Sequence, residues 1–141
     1  MRVQVAIDCS DPHRLAAFYA AAFPYEVESH DERITGLMEQ GLVTAADVVE
    51  IDGRQAFATA AGCSDPAGVL PRLLFQKVPE GRAAKNRVHL DFQMGGDAAR
   101  DKTVERIRGL GGTSLWDGQQ GPDHRWMTMA DPEGNEFCVS D

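Results

Sequence analysis

The sequence has few of the features that mark several common protein classes. Its three cysteines, Cys9, Cys63 and Cys138, are odd in number and unrelated in spacing, so they do not indicate a disulfide framework. No apolar run approaches the length that spans a bilayer, and the N-terminus enters a strand pattern without the segments of a secretion signal. A Gly-rich phosphate loop, a CxxC pair and a nucleophile elbow are all missing. These absences predict a reduced, cytoplasmic protein without a membrane segment.

Positive charge is also scarce. The chain has 14 lysines and arginines against 22 aspartates and glutamates, for a net charge of −8. Because no basic cluster offsets the repulsion, we expect neither a nucleic acid nor an anionic membrane as a partner. The apolar content of 43% in 141 residues suffices for one hydrophobic core.

The most informative pattern is an internal repeat. Residues 2–8 (Arg-Val-Gln-Val-Ala-Ile-Asp) and 87–92 (Arg-Val-His-Leu-Asp-Phe) both alternate polar and apolar side chains, which is typical of a strand with one packed face. Each half later contains an Asp-Pro-x-Gly turn before another apolar strand, at 65–68 and at 131–134. The repeat predicts a duplicated module, and a cleft between such halves suits a small ligand.

The pattern along the chain predicts the order βαβββ twice, with module 1–80 and module 84–141 forming a single domain over 1–141. Asp11 and Pro12 are typical of a helix start. The segment 31–50 favours one or two short inserted helices, and 79–85 a linker. The predicted helices are 11–23 and 97–110, and the predicted strands are 2–8, 25–29, 56–61, 72–78, 87–92, 113–116, 125–129 and 136–140.

Three motifs carry a family resemblance: Arg-Leu-Leu-Phe-Gln-Lys-Val-Pro-Glu at 72–80, Lys-Asn-Arg-Val-His-Leu-Asp at 85–91 and Asp-Pro-Glu-Gly-Asn-Glu-Phe at 131–137. With the Asp-capped helix that carries Phe18 and Tyr19, they resemble the glyoxalase-like domain branch of the vicinal oxygen chelate superfamily. That superfamily includes glyoxalase I, extradiol dioxygenases and bleomycin- or fosfomycin-resistance proteins. The resemblance implies an α+β fold in which two βαβββ modules form a curled mixed sheet around a concave pocket. It also implies a homodimer.

The resemblance further implies metal ligands on the first and last strands of each module. The corresponding positions here are Gln4, His89 and Cys138, with Leu74 or Gln76 as the fourth. A set of Gln, His and Cys without a carboxylate is unlike the oxygen-rich sites of magnesium, manganese or iron. Zinc is the most compatible metal, since it accepts sulfur and imidazole. We expect these residues to converge on one pocket without a tightly held metal.

Strand alternation predicts which side chains share the concave face. Burying many polar groups without partners would cost several kcal/mol, so that face must be wet, internally paired or occupied by a polar ligand. Val3, Val5, Ile7, Val88, Leu90 and Phe92 are expected to pack on the other face. The predicted ligand-pocket residues are Gln4, Gln76, His89, Asp91, Trp126 and Cys138.

Each of these candidates has a purely structural alternative. His89 is either a ligand contact or a histidine hydrogen-bonded to Asp91 or Gln4, and Cys138 is either exposed to the pocket or a small buried filler. Trp116 and Trp126 form either an aromatic wall or part of the core. His124 lies either at the cleft mouth or on a surface loop, whereas His13 and His30 are expected to be ordinary surface residues.

Three functions fit the sequence, in this order. The first is a metal-independent protein that binds or sequesters a small molecule, as in the resistance-protein type. The second is a lyase, isomerase or dioxygenase in which a divalent metal polarises substrate oxygens. The third is a regulatory or interaction domain that uses the acidic segment 31–50.

Overall fold

The structure, a computed structural model, describes residues 1–141. The chain forms two compact units, Met1–Gly81 and Arg82–Asp141, each with a four-stranded mixed sheet whose strands and first helix follow the order βαβββ; the first unit has an inserted segment after its second strand. The α+β fold is therefore as predicted. None of the helices is long and apolar enough to cross a membrane. The elements are β1 (Gln4–Cys9), α1 (Pro12–Ala22), β2 (Glu26–Val27), α2 (Asp31–Glu39), a 3-10 helix (Ala45–Asp47), β3 (Val48–Ile51), β4 (Arg54–Phe57), β5 (Ala60–Ser64), β6 (Arg72–Lys77), β7 (Asp91–Gln93), α3 (Asp97–Gly109), β8 (Thr113–Gln120), β9 (His124–Ala130) and β10 (Glu136–Ser140).

In the first unit the sheet order is β1-β6-β5-β2, with β1 parallel to β6 and the other pairs antiparallel. The predicted helix 11–23 is confirmed. Its start is fixed by Asp11, whose side chain accepts a hydrogen bond from the backbone N–H of Arg14 at 3.1 Å. Its apolar side chains form the core against β6, where the rings of Tyr19 and Phe75 lie 5.3 Å apart and both are buried.

The inserted segment contains the expected short helices, α2 and the 3-10 helix, and also a hairpin that the sequence analysis missed. Strands β3 and β4 form a two-stranded sheet joined by Asp52 and Gly53, whose φ angles are 50° and 75°. The predicted strand 56–61 was wrong, because its residues end β4 and begin β5. Most hairpin side chains are exposed or half-buried and therefore lack the alternation of a packed strand, although Asp-Gly is itself a strong hairpin signal.

In the second unit the sheet order is β7-β10-β9-β8, with β7 parallel to β10. Helix α3 packs Val104 and Ile107 against this sheet, whereas Leu110, the last residue of the predicted helix 97–110, is 39% exposed just beyond the end of the helix. The rings of Phe92 and Phe137 meet edge to face at 5.9 Å on the packed side.

The fifth predicted strand, 87–92, is largely wrong. Regular pairing begins only at Asp91, and Val88, expected to pack, is 82% exposed. The preceding residues instead bind the start of β10: the Asn86 side-chain amide donates to the backbone oxygen of Glu136 at 3.3 Å. Side-chain bonds thus hold this segment where the pattern predicted a strand.

Candidate functional site

The register of the second sheet brings two rows of side chains onto one face. Directly paired residues lie side by side, and residues two apart along a strand share a face. The first row, from β7 to β8, is Asp91, Cys138, Thr128 and Trp116; the second is Gln93, Ser140, Trp126 and Gly118. The rows border a cavity of about 400 Å³, hereafter the second-unit pocket. Its lining residues are Lys85, His89, Asp91, Gln93, Trp116, Gln120, His124, Trp126, Thr128, Cys138 and Ser140.

Four of the six predicted pocket residues therefore line one cavity: His89, Asp91, Trp126 and Cys138. The other two, Gln4 and Gln76, belong to the first unit.

Trp116 and His124, considered only as alternatives from sequence, also line the pocket. Period-two alternation along β9 and β10 would have found Thr128 and Ser140 from Trp126 and Cys138. Lys85, Gln93 and Gln120 were missed altogether.

The position of Trp126 depends on a glycine on the neighbouring strand. Gly118 lies directly opposite Trp126, and a Cβ atom at Gly118 would clash with the indole ring. The ring of His124 is 5.6 Å from that of Trp126, and His124 Nδ1 is 3.1 Å from Asp141 Oδ1. Trp126 is thus held between a glycine and an anchored histidine.

Cys138 is a buried thiol with low reactivity. It is 8% exposed, and its Sγ lies 3.7 Å from Thr128 Oγ1. Burial raises the pKa of the Cys138 thiol; the Thr128 hydroxyl opposes this increase, and the Asp91 carboxylate adds to it. A protonated thiol is a poor nucleophile and a poor metal ligand.

Glu136 is a buried carboxylate that anchors the segment before β7. It is 7% exposed and forms ion pairs with Arg82 and, at 3.2 Å, with Lys85 Nζ. These two cations balance the charge of Glu136, which lies two residues before Cys138 in β10.

His89 has other partners than expected. Its Nε2 lies 2.9 Å from Lys85 Nζ and 3.1 Å from the backbone oxygen of Asn86, rather than at Asp91 or Gln4. One nitrogen cannot accept from the ammonium and donate to the carbonyl at once, so the tautomer selects between the two contacts. His89 is exposed at the pocket.

In the first unit Gln4 belongs to a polar network. Its Oε1 accepts from Arg72 Nη1 at 2.6 Å, and Arg72 binds Glu28 through two hydrogen bonds of 2.7 and 2.6 Å. The Arg72 hydrogen bonds lower the pKa of the Glu28 carboxyl. Gly62 makes room for the pair, because a Cβ there would lie 2.5 Å from Glu28 Oε2. His30, expected to be an ordinary surface residue, has its Nε2 3.3 Å from Glu28 Oε2.

His13 also departs from the surface role expected of it. Its Nε2 lies 2.9 Å from the backbone oxygen of Phe57, which links the start of α1 to the inserted hairpin.

Strand register decides between Leu74 and Gln76 as the counterpart of Cys138. Ala6 pairs with Leu74 in the first sheet, and Asp91 pairs with Cys138 in the second. The sequence repeat aligns Ala6 with Asp91, so the counterpart is Leu74, an aliphatic side chain.

The donor set does not fit the divalent metal that the superfamily resemblance implies. In neither unit do three or more His, Cys, Asp or Glu side chains form a group that could hold a metal ion. Leu74 offers no donor atom, and burial keeps Cys138 protonated. Gln4 is already hydrogen-bonded to Arg72.

Comparison with known proteins supports the fold over nearly the whole chain. A glyoxalase/bleomycin resistance protein/dioxygenase family enzyme from Burkholderia phytofirmans is 15% identical, with a TM-score of 0.66 over 97% of this chain and 94% of that one. A fosfomycin resistance protein from Listeria monocytogenes, a mutant complexed with Mn(II) and 1S,2S-dihydroxypropylphosphonic acid, is 14% identical, with a TM-score of 0.62 over 96% and 85%. A lactoylglutathione lyase from Agrobacterium tumefaciens is 15% identical, with a TM-score of 0.59 over 99% and 92%.

No curated protein sequence matches this chain. The family model of the glyoxalase-like domain, however, matches residues 4–140. The chain therefore belongs to the glyoxalase-like domain family.

Proposed function

We propose that the protein binds an organic small molecule in the second-unit pocket and sequesters it without a tightly held metal, in the manner of a resistance protein. The observation that carries the proposal is the convergence of side chains from all four strands of one sheet on a cavity of about 400 Å³. This volume lies within the usual range of ligand sites, and aromatic walls with a few polar groups are typical of them.

The structural neighbours support a small-molecule role. One is a lactoylglutathione lyase, and another is a fosfomycin resistance protein that holds a small phosphonic acid beside Mn(II). The donor set of the second-unit pocket, however, does not suit a metal. Binding therefore explains the side chains present better than metal-assisted catalysis does.

The two tryptophans of the chain, Trp116 and Trp126, both line the pocket, so their indole N–H signals in heteronuclear NMR spectra report binding. We expect compounds from a diverse library of metabolites and antibiotics to shift both signals, and Trp126→Phe to assign them. The matched control is Leu42→Ala, which changes an exposed residue of the first unit and is expected to leave the ligand-induced shifts of both indole signals unchanged. The proposal is wrong if no compound moves either signal at millimolar concentration.

Metal analysis tests the competing function, a metal-dependent lyase, isomerase or dioxygenase. We expect protein purified without added metal or chelator to carry no stoichiometric metal. A stoichiometric metal that disappears in His89→Ala would establish the enzyme instead.

We also propose that the protein is a cytoplasmic homodimer. Strands β1 and β8, of six and eight residues, lie at the edges of their sheets, and proteins usually cover or pair long strand edges. The three buried cysteines form no disulfide, as suits a reducing compartment. Light scattering at micromolar concentration is expected to give the dimer mass, and cell fractionation tests the compartment.

A further inference from the structure

Ser140 presents a buried hydroxyl without a partner at the second-unit pocket. The residue is 2% exposed, and its Oγ makes no hydrogen bond with any protein atom. A buried hydroxyl left unpaired costs about 1–3 kcal/mol. Its cross-strand neighbours are Gln93 and Trp126, which flank it on either side. Ser140 lines the pocket together with both of these neighbours, so a ligand there can offer the hydroxyl the partner that the protein does not.

The walls of the pocket suit a flat ring. Trp116 is 44% exposed although it is a large apolar residue, and Trp126 is held half-buried across Gly118. The Lys85 ammonium lies over Trp116, 5.5 Å from the ring centroid. Two indoles on one face of a sheet favour an aromatic ligand, since offset and edge-to-face ring contacts add to the burial of apolar area.

The charges at the pocket argue against an ionic ligand. Lys85 is paired with Glu136 at 3.2 Å, and His124 with Asp141 at 3.1 Å. Asp91 and Lys85 face the same cavity with opposite charges, so the lining offers no net attraction that would repay the desolvation of a charged ligand. The remaining polar lining consists of His89, whose Nε2 lies 2.9 Å from Lys85 Nζ, and of four uncharged side chains, Gln93, Gln120, Thr128 and Ser140.

We propose that the ligand of the second-unit pocket is an uncharged, planar aromatic compound with an amide or hydroxyl substituent that hydrogen-bonds to Ser140. This inference rests on the proposed function and names the class of molecule that the site takes. It separates this pocket from one built for a phosphonate, which would need unpaired cations.

Three probes of the same shape and different charge test the ligand class: naphthamide, naphthoate and naphthylmethylammonium. We expect naphthamide to shift both indole signals and to bind roughly tenfold more tightly than either ion, because each ion loses hydration without gaining an unpaired counter-charge. Cyclohexanecarboxamide, which keeps the amide without the aromatic ring, is expected to bind more weakly than naphthamide. Tighter binding of an ion or of the aliphatic amide would overturn the proposal.

Ser140→Ala tests the hydrogen bond. We expect it to weaken naphthamide binding about three- to tenfold, the usual value of one neutral hydrogen bond, and to leave binding of unsubstituted naphthalene unchanged. Ser114→Ala is the matched control, because Ser114 lies in the same sheet but bonds Arg108 at 2.8 Å outside the pocket. Unchanged naphthamide affinity in Ser140→Ala would contradict the assigned contact.

The same spectra separate this inference from the proposed function. Indole shifts with charged or aliphatic library compounds, but not with naphthamide, would show that the pocket binds small molecules and that the ligand class is wrong. If neither indole N–H signal shifts with any compound, both proposals are overturned.

Discussion

Two glycines leave space for neighbouring side chains, one in the second-unit pocket and one in the polar network of the first unit. Gly118 lies under the Trp126 ring, and Gly62 lies under the Glu28–Arg72 pair. Neither has a positive φ angle, so backbone freedom does not explain them. Their role is the close approach of another residue, which is one recognised use of glycine within a strand.

Gly118→Ala is expected to lower the free energy of unfolding by about 1–3 kcal/mol, because the new methyl group must displace the indole. The pocket wall moves with Trp126, so ligand binding should fall as well. Denaturant unfolding and tryptophan emission measure the two effects. Gly36→Ala is the control: it has no neighbouring atom within 4 Å and lies in helix α2, where alanine is favoured. If Gly118→Ala leaves the free energy of unfolding unchanged, the Trp126 ring does not pack against residue 118.

Ser140→Ala should make the unliganded protein more stable by about 1 kcal/mol. The substitution removes a buried hydroxyl that has no protein partner, and it leaves only a small cavity. Thermal unfolding without ligand measures the change. A loss of stability would mean that the hydroxyl already has a partner, such as a bound water.

The Glu28 carboxyl gives the first unit an acid-dependent stability. Hydrogen bonds from Arg72 lower its folded-state pKa, so the unfolded chain takes up the proton first. The contribution is therefore complete above the ordinary carboxyl pKa of about 4.3 and disappears as pH falls toward the folded value.

Glu28→Gln should cost about 1.5–3 kcal/mol at neutral pH and flatten stability in this acid window. Unfolding curves at several pH values measure both effects, with the exposed Glu32→Gln of α2 as control. An unchanged pH profile would contradict the argument.

At the scale of elements, the segment 82–90 is held by one buried carboxylate. Glu136 binds Arg82 and Lys85, and its backbone oxygen accepts from Asn86. Glu136→Gln leaves both cations without a charged partner, at a cost of about 1–3 kcal/mol, because Arg82 and Lys85 are partly exposed and stay solvated. We expect faster hydrogen exchange over 82–90, with Lys85→Gln giving a smaller effect and the exposed Glu105→Gln none. Equal exchange in all three would show that the ion pairs do not hold the segment.

Sequence patterns correctly predicted those elements whose structure is determined by their own residues. Helix α1 has its cap in Asp11, β10 has an apolar face, and the Asp131 turn forms because that side chain accepts from the backbone N–H of Glu133 and Asn135. The hairpin β3–β4 and residues 87–90 were mispredicted, because exposure determines the pattern of the hairpin and contacts with the distant start of β10 hold the segment before β7.

The pocket residues divide in the same way, into those that local sequence patterns predict and those that distant contacts place. Asp91, Trp126 and Cys138 came from strand alternation or the family resemblance, whereas Lys85 reaches the pocket through its ion pair with Glu136, which no local pattern encodes. The convergence of Gln4 with His89 and Cys138 stays a prediction.

The four-stranded sheets of the two units share one order of elements. They differ in the side chains that they expose. At equivalent register positions the first has Leu74 and the second Cys138, and the first has Gln76 where the second has Ser140. The duplicated modules have thus diverged at the positions where the resemblance implies ligands. That modules 1–80 and 84–141 form a single domain stays a prediction.

The aromatic residues also divide between the units. Both tyrosines, Tyr19 and Tyr25, lie buried in the first unit, and both tryptophans, Trp116 and Trp126, lie in the second. Fluorescence excited at the red edge of the absorption band, where only indole absorbs, therefore follows the unfolding of the second unit. The NMR signals of the tyrosine rings follow the unfolding of the first unit. Cooperativity between the halves becomes measurable in the unlabelled native chain: coincident transitions mean that they unfold as one, and separate transitions that each half melts alone.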